Sequence, residues 1–377
     1  MQKIDKKLLN FVILSKKECI FDCVVYYSNK SKIQDFFYKN NIEVVKDLDF
    51  LDAFIVRFNS TNILKVASLN YVYFISSVSN VFALMDVSKN ILGINNLGYT
   101  GKGVSIAYID TGINQHLDFC LKRNRIIKFC DFVNGVKTPY DDNGHGTFVS
   151  GVASGAGTIS NGKYGGVAPG SNIISLKALN EKGEANAVTI LESMDWIYSN
   201  KTKYNIDIVC MSFGSEPLGS FDPIMKGAEK LWQSGIVVVC AAGNSGPQRE
   251  TIKSPGISKR IITVGGFDDK RELDGTFSFD KFEVADFSSR GPAFGRIKPD
   301  LIAPSVNITS CSSHGEYKQM SGTSVATPMV AGLVAIIKEK YPNSTPDQIK
   351  RYLLHNAKSI RNINYAEGYG VVNITHP

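Results

Sequence analysis

From Asn90 onward the chain alternates short β-branched runs with segments of helical periodicity and glycine-rich turns. Val104–Ile109, Ile173–Leu176, Ile206–Met211, Ile236–Ala241 and Ile261–Val264 are apolar without a two-residue alternation, the pattern of strands buried on both faces. Ala187–Ser199 and Pro223–Ser234 have helical spacing between them. The alternation predicts a three-layer α/β/α domain with a mostly parallel central sheet, whose ligands bind at the carboxyl ends of the strands.

Residues 1–84 have a different texture, poor in glycine and rich in Lys, Asn, Phe and Tyr. Leu9–Leu14, Cys23–Tyr27, Ala53–Phe58 and Tyr71–Ile75 predict strands, and Lys32–Asn40 and Asn62–Leu69 predict helices. The expected organisation is a small α+β domain over 1–84 and the larger domain over 85–377. With 377 residues, 43% of them apolar, there is enough side chain for both cores.

Four segments of the larger domain carry chemistry. Val104–Gly112 is an apolar strand that ends in Asp110 and turns at glycine. A carboxylate there can be desolvated yet hydrogen-bonded, as needed to fix an imidazole tautomer, or it can be a turn aspartate. Asp142-Asn-Gly-His145-Gly places a histidine between two glycines at the start of a helical segment, open to a substrate backbone; capping or packing is the alternative role. Met320-Ser-Gly-Thr-Ser324-Val-Ala-Thr-Pro puts Ser324 at a helix N-terminus, where partial positive charge favours a developing anion. A serine N-cap is the plainer reading. Val237–Pro247 ends a buried strand at Ala-Ala-Gly-Asn244, whose amide can donate to an oxyanion or simply close a turn.

Asp-Thr-Gly at Asp110, His-Gly-Thr at His145, Ala-Ala-Gly-Asn at Asn244 and Gly-Thr-Ser-Val-Ala-Thr-Pro around Ser324, in that order, resemble the subtilisin-like serine peptidases, from Asn90 to the C-terminus. The resemblance implies that Ser324 attacks the scissile carbonyl, His145 is the general base, Asp110 orients it, and Asn244 helps form the oxyanion hole. It also implies that Gly183, Glu184 and Ala185 on one side and Ser212, Phe213 and Gly214 on the other sandwich an extended peptide, with Ala241, Gly243 and Lys253 at the primary specificity pocket. Lys253 stands where the family usually has glycine, which raises an expectation of acidic P1 residues; a lysine that snorkels out of the pocket is the competing expectation. Phe148 replaces a histidine common among relatives, with only a packing change expected.

Residues 1–84 resemble, in pattern and position, the propeptide of these enzymes, which implies an intramolecular inhibitor and a self-processing zymogen cut after Leu84 or Asp86. A catalytically silent or permanently inhibited regulatory protein is the alternative. An esterase of the α/β-hydrolase type is disfavoured because no G-x-S-x-G precedes Ser324.

Partners other than protein are not expected. The net charge of +7 is spread without a dense basic, aromatic-laced run, so nucleic acid is not an expected ligand. The apolar stretch Leu8–Leu14 is broken by Asn10 and followed by Lys16 and Lys17, unlike a secretion signal, and no apolar run spans a bilayer. The seven scattered cysteines read as reduced thiols. A cytoplasmic location follows as the expectation, with unconventional export open. No cofactor is expected: Asp118 could match a calcium ligand, but Ser154–Gly165 lacks the Asn-rich calcium loop of secreted relatives.

Overall fold

The structure, a computed structural model, describes residues 3–4, 8–9, 20–48, 52–77, 85–94, 97–272, 276–361 and 363–374. The chain divides into two compact units, Met1–Val81 and Phe82–Pro377.

The first unit runs β1 (Ile20–Tyr27), α1 (Lys30–Lys39), β2 (Glu43–Leu48), β3 (Ala53–Asn59), α2 (Ser60–Ala67) and β4 (Val72–Ser77). Its antiparallel sheet has the order β2-β3-β1-β4. Asn29 and Asn59 start the helices by accepting the N–H of Lys32 and Asn62. Ile33 and Phe37 of α1 and Ile63 and Val66 of α2 are buried with Val25, Phe54 and Val56 of the sheet in one core. The sequence pattern misses β2, since Val44 and Val45 are both exposed and a register shift between Val44 and Lys46 breaks the alternation. Of the strand expected at Leu9–Leu14, Leu9 is helical and residues 10–14 lie outside the described residues.

Among the described residues the second unit carries eight parallel strands in the order β6-β7-β5-β8-β9-β10-β11-β12: Ile126–Asp131, Asn172–Lys177, Ser105–Asp110, Ile206–Met211, Val237–Ala241, Ile262–Asp268, Leu301–Pro304 and Val371–Val372. β5 and β9 are buried at every position, as strands covered on both faces must be. After the short helix α3 (Met85–Ile91), α4 (His145–Ser154) packs on α7 (Thr323–Lys340), which crosses β8, β9 and β10. A separate pair, α5 (Ala187–Asn200) and α6 (Pro223–Gln233), packs together against β5 and β9 respectively. Helix α7 is buried from Thr323 to Lys338 almost without interruption, so it is a core helix rather than an amphipathic one. It passes close to its neighbours because its residues are small: a Cβ on Gly332 would lie 2.6 Å from Val167 Cβ. No helix among the described residues is long and apolar enough to cross a membrane. No disulfide joins the described cysteines.

Candidate active site

Three chain segments meet at the carboxyl end of the sheet. Asp110 is the last residue of β5, His145 the first of α4, and Ser324 the second of α7. His145 Nδ1 lies 2.7 Å from Asp110 Oδ1, which also accepts the N–H of Thr111 at 2.7 Å. Asp110 is 2% exposed, so its charge acts through protein rather than water.

The contact requires close backbone approach. A Cβ on Gly146 would fall 2.2 Å from Gly112 O and 3.2 Å from Asp110 Cβ, and one on Gly112 would fall 2.2 Å from Tyr140 O. Glycine at both positions lets the start of α4 lie directly on the turn after β5. Polar groups then lock the two segments. Thr111 Oγ1 donates to Asp141 Oδ1 at 2.8 Å and accepts the N–H of Gly146 at 2.8 Å. Asp141 also accepts the N–H of Gly144 and Thr147 and the hydroxyl of Thr147. Burial raises the Asp141 carboxyl, but these donors outweigh it and hold the group below its ordinary value. Lys177, fully buried at the end of β7, donates to Thr111 O, Leu179 O and Asp142 Oδ1. Asp141 and Lys177 have no signature in the sequence that separates them from loop and strand residues; only the fold brings them beside the histidine.

Burial draws the His145 imidazole down, yet the charge and hydrogen bond of Asp110 outweigh it and raise the ring above its ordinary value. Asp141 adds to the rise and Lys318 opposes it.

The serine end is built by Thr323. Its N–H and hydroxyl donate to Asn244 Oδ1 at 3.0 and 2.9 Å, and its Oγ1 accepts the N–H of Gly243 at 3.3 Å. With Oδ1 engaged, the Asn244 amide presents Nδ2 as its outward donor. A point where Gly322 would carry a Cβ lies 3.1 Å from Ser324 Oγ, 3.4 Å from Asn244 Nδ2 and 3.8 Å from Ser324 N. The backbone N–H of Ser324 belongs to the first helical turn, where N–H groups lack intrahelical partners. Nucleophile, side-chain amide and backbone donor thus face one space that Gly322, at φ 151°, leaves open. Among the described residues no hydrogen bond joins Ser324 Oγ to His145, a contact that in such sites often tightens only with substrate present.

The segments expected to hold a peptide face each other across a cavity of about 420 Å³, lined by Gly183, Glu184 and Ala185 on one side and by Phe213, Gly214 and Glu216 on the other. Ser212 directly follows β8, and Ala241 ends β9 two residues before Gly243. The Lys253 stem packs between Gly214 and Gly243: a Cβ on Gly214 would be 2.7 Å from its Cβ, and one on Gly243 would be 2.5 Å from its Cγ. Its ammonium pairs with Glu216. Phe148 is fully buried under Lys318, whose Nζ lies 6.0 Å from the ring centre.

His116, Asp118 and Cys311 form a buried group with ligand-type atoms within 4.8 Å of one another. Protein donors already occupy the carboxylate and the imidazole. Asp118 accepts the N–H of Gly157 at 2.8 Å and of Thr158 at 2.7 Å, and Tyr317 Oη lies 3.0 and 2.9 Å from its two oxygens. His116 Nδ1 accepts the N–H of Asp118, and Nε2 faces Glu316 O at 3.0 Å. One carboxylate, an imidazole and a thiol are also the wrong donors for calcium, which takes six to eight oxygens. The group does not fit a calcium ion: protein donors stand where a cation would bind.

A sequence model described as the subtilase family matches residues 101–370. Serine protease AprX of Bacillus subtilis (strain 168) is 44% identical over 281 residues, covering 69% of this chain and 62% of its own, so the chain spans less than two thirds of that relative. Subtilisin DY of Bacillus licheniformis is 32% identical, covering 74% of this chain and 91% of its own length. Among solved structures, Sphericase superposes with a TM-score of 0.65 at 29% identity, covering 79% of this chain and all of its own.

Proposed function

Because the chain belongs to the subtilase family, we propose that it is a serine endopeptidase in which Ser324 is the nucleophile, His145 the general base and Asp110 the residue that fixes the base. The observation that carries this reading is the 2.7 Å Asp110–His145 contact on a fold that opens one space to Ser324 Oγ, Asn244 Nδ2 and Ser324 N. In the first step Ser324 Oγ bonds to the scissile carbonyl carbon while its proton passes to His145 Nε2. The carbonyl oxygen becomes an oxyanion held by Asn244 and the Ser324 N–H. His145 then gives the proton to the leaving amine, and water repeats the sequence to release the acid. Asp110 stays ionised and holds the Nδ1–H tautomer throughout.

The substrate is a polypeptide laid as an extended strand between residues 183–185 and 212–214, an arrangement that takes affinity from main-chain hydrogen bonds and selectivity from pockets. Lys253 gives the pocket beside Gly243 a preference for acidic P1 residues. The β-α-β-β-α-β order of the first unit supports its role as propeptide and intramolecular inhibitor. Self-processing then falls after Leu84, outside the described residues, or after Asp86. Intact mass and N-terminal sequencing of purified wild type beside Ser324→Ala test the reading. Wild type split after Leu84 or Asp86 beside a whole Ser324→Ala is expected; two whole chains would remove self-processing.

A further inference from the structure

The pairing of Lys253 with Glu216 shows an asymmetry that bears on specificity. Lys253 is held in place: its stem fills the gap between Gly214 and Gly243, and its side chain is 18% exposed. Glu216 sits on the loop after Gly214 with its side chain 80% exposed. Among the described residues, Glu216 is the group that meets the Lys253 ammonium. The Lys253 stem lies against Gly243, which immediately precedes Asn244, so the stem runs beside the segment that carries the side-chain amide of the site. A carboxylate that reaches the ammonium competes with Glu216 for its N–H donors.

We infer that Glu216 is a specificity-determining residue that occupies the Lys253 ammonium in place of a substrate carboxylate and is displaced by an acidic P1 side chain. This rests on the peptidase reading above. An exposed carboxylate regains its water when it swings away, so its departure is nearly free, whereas the packed ammonium cannot follow it. An acidic P1 residue therefore exchanges one partner of Lys253 for another. A neutral P1 residue leaves Glu216 in place, and the cation stays compensated. Glu216 thus moderates the preference that Lys253 creates. Without it, Lys253 faces the pocket alone and the preference for acid sharpens.

The test uses the full-length protein after any processing and three peptides identical except for Glu, Gln or Leu at P1. The readout is the ratio of kcat/KM for Glu over Gln, which cancels side-chain size. In Glu216→Gln this ratio is expected to rise about threefold to tenfold, the worth of a part-exposed ion pair. In Lys253→Gln it is expected to fall by about tenfold or more, the loss of a charge-assisted hydrogen bond. In the double variant the effect of Glu216→Gln disappears, because its target is gone. A Glu216→Gln ratio equal to wild type overturns the inference even if Lys253→Gln behaves as stated. An undiminished response in the double variant overturns it as well. Failure of wild type to cleave any of the three peptides, Leu included, overturns the peptidase reading, and the inference with it; cleavage of the Leu peptide with unmoved ratios overturns the inference alone.

Discussion

Asp110 meets His145 through one carboxylate oxygen, and that contact carries a pH dependence. The base must be neutral to accept the serine proton, and Asp110 favours its protonated form. The acid limb of kcat/KM is therefore expected above the ordinary imidazole value of about 6.5. Lys318 pushes the other way, so Lys318→Met removes an opposing charge and moves the limb to higher pH; a downward move in a pH–rate profile would contradict the assignment. The same shift links to stability with the opposite benefit. A raised folded value means His145 contributes stability below the unfolded pKa, and that contribution is lost as pH rises through the folded value. At the oxyanion end, Asn244→Leu is expected to lower kcat by on the order of 100- to 1,000-fold, a range taken from a subtilisin. Thr323→Val keeps the shape but removes the hydroxyl donor to Asn244 Oδ1. A fall of about tenfold in kcat with KM little changed is expected, since a misdirected amide weakens only transition-state binding.

At the level of elements, close packing of backbone turns three remote segments into one site. Gly146→Ala would push a methyl to within 2.2 Å of Gly112 O, and neither the β5 turn nor α4 can yield without breaking the Thr111–Asp141 lock. A loss of about 3 kcal/mol in chemical unfolding is expected, together with activity. Gly322→Ala is different, because its methyl would stand 3.1 Å from Ser324 Oγ and 3.4 Å from Asn244 Nδ2. At φ 151° an L side chain is also strained, so Gly322→Ala is expected to lose activity through the crowded site and about 1 to 3 kcal/mol of stability through the backbone. Around Asp118, donors from residues 157 and 158 do what a cation would otherwise do. A chelator is expected to leave the thermal midpoint unchanged, while Asp118→Ala costs about 2 to 4 kcal/mol by orphaning buried N–H groups. A midpoint that drops in chelator would contradict that account. These elements also mark how far the sequence can be read. Asp110, His145 and Ser324 each stand where a strand stops or a helix starts, and such junctions have a local signature of apolar run, polar residue and glycine. Thr323, Asp141 and Lys177 join the site through partners 30 to 80 residues away, Asn244 and Gly243 for the first and Thr111 for the other two, so the local sequence does not reveal the role. Strand β6 carries no clear pattern for a similar reason: Ile126–Asp131 mixes buried and open positions and follows a charged stretch, whereas β5 and β9 are buried at every position and β8 at every position but Asp207.

At the scale of the whole molecule, the parallel sheet places every loop that carries chemistry on one edge, which is why four short motifs spread from residue 110 to residue 324 can share a site. The two units have separate cores, of which the smaller draws on Ile4, Leu8 and residues 23–75 and the larger runs from Leu92 onward. Each core repeats its periodic signal over several elements, which is why most of the interior strands and helices are legible in the sequence while β2 and β6 are not. The expected cleavage point after Leu84 falls among residues 78–84, outside the described residues, and chemistry rather than fold must locate it. The central claim, that Ser324 is the nucleophile of a charge-oriented triad, is tested most directly by treating the full-length protein with a fluorophosphonate and mapping the adduct by peptide mass spectrometry. A single phosphonyl adduct on the Ser324 peptide of wild type, absent in Ser324→Ala and much slower to form in His145→Ala, is the expected result. An adduct on another serine, or none on folded wild type freed of its first unit, would contradict it.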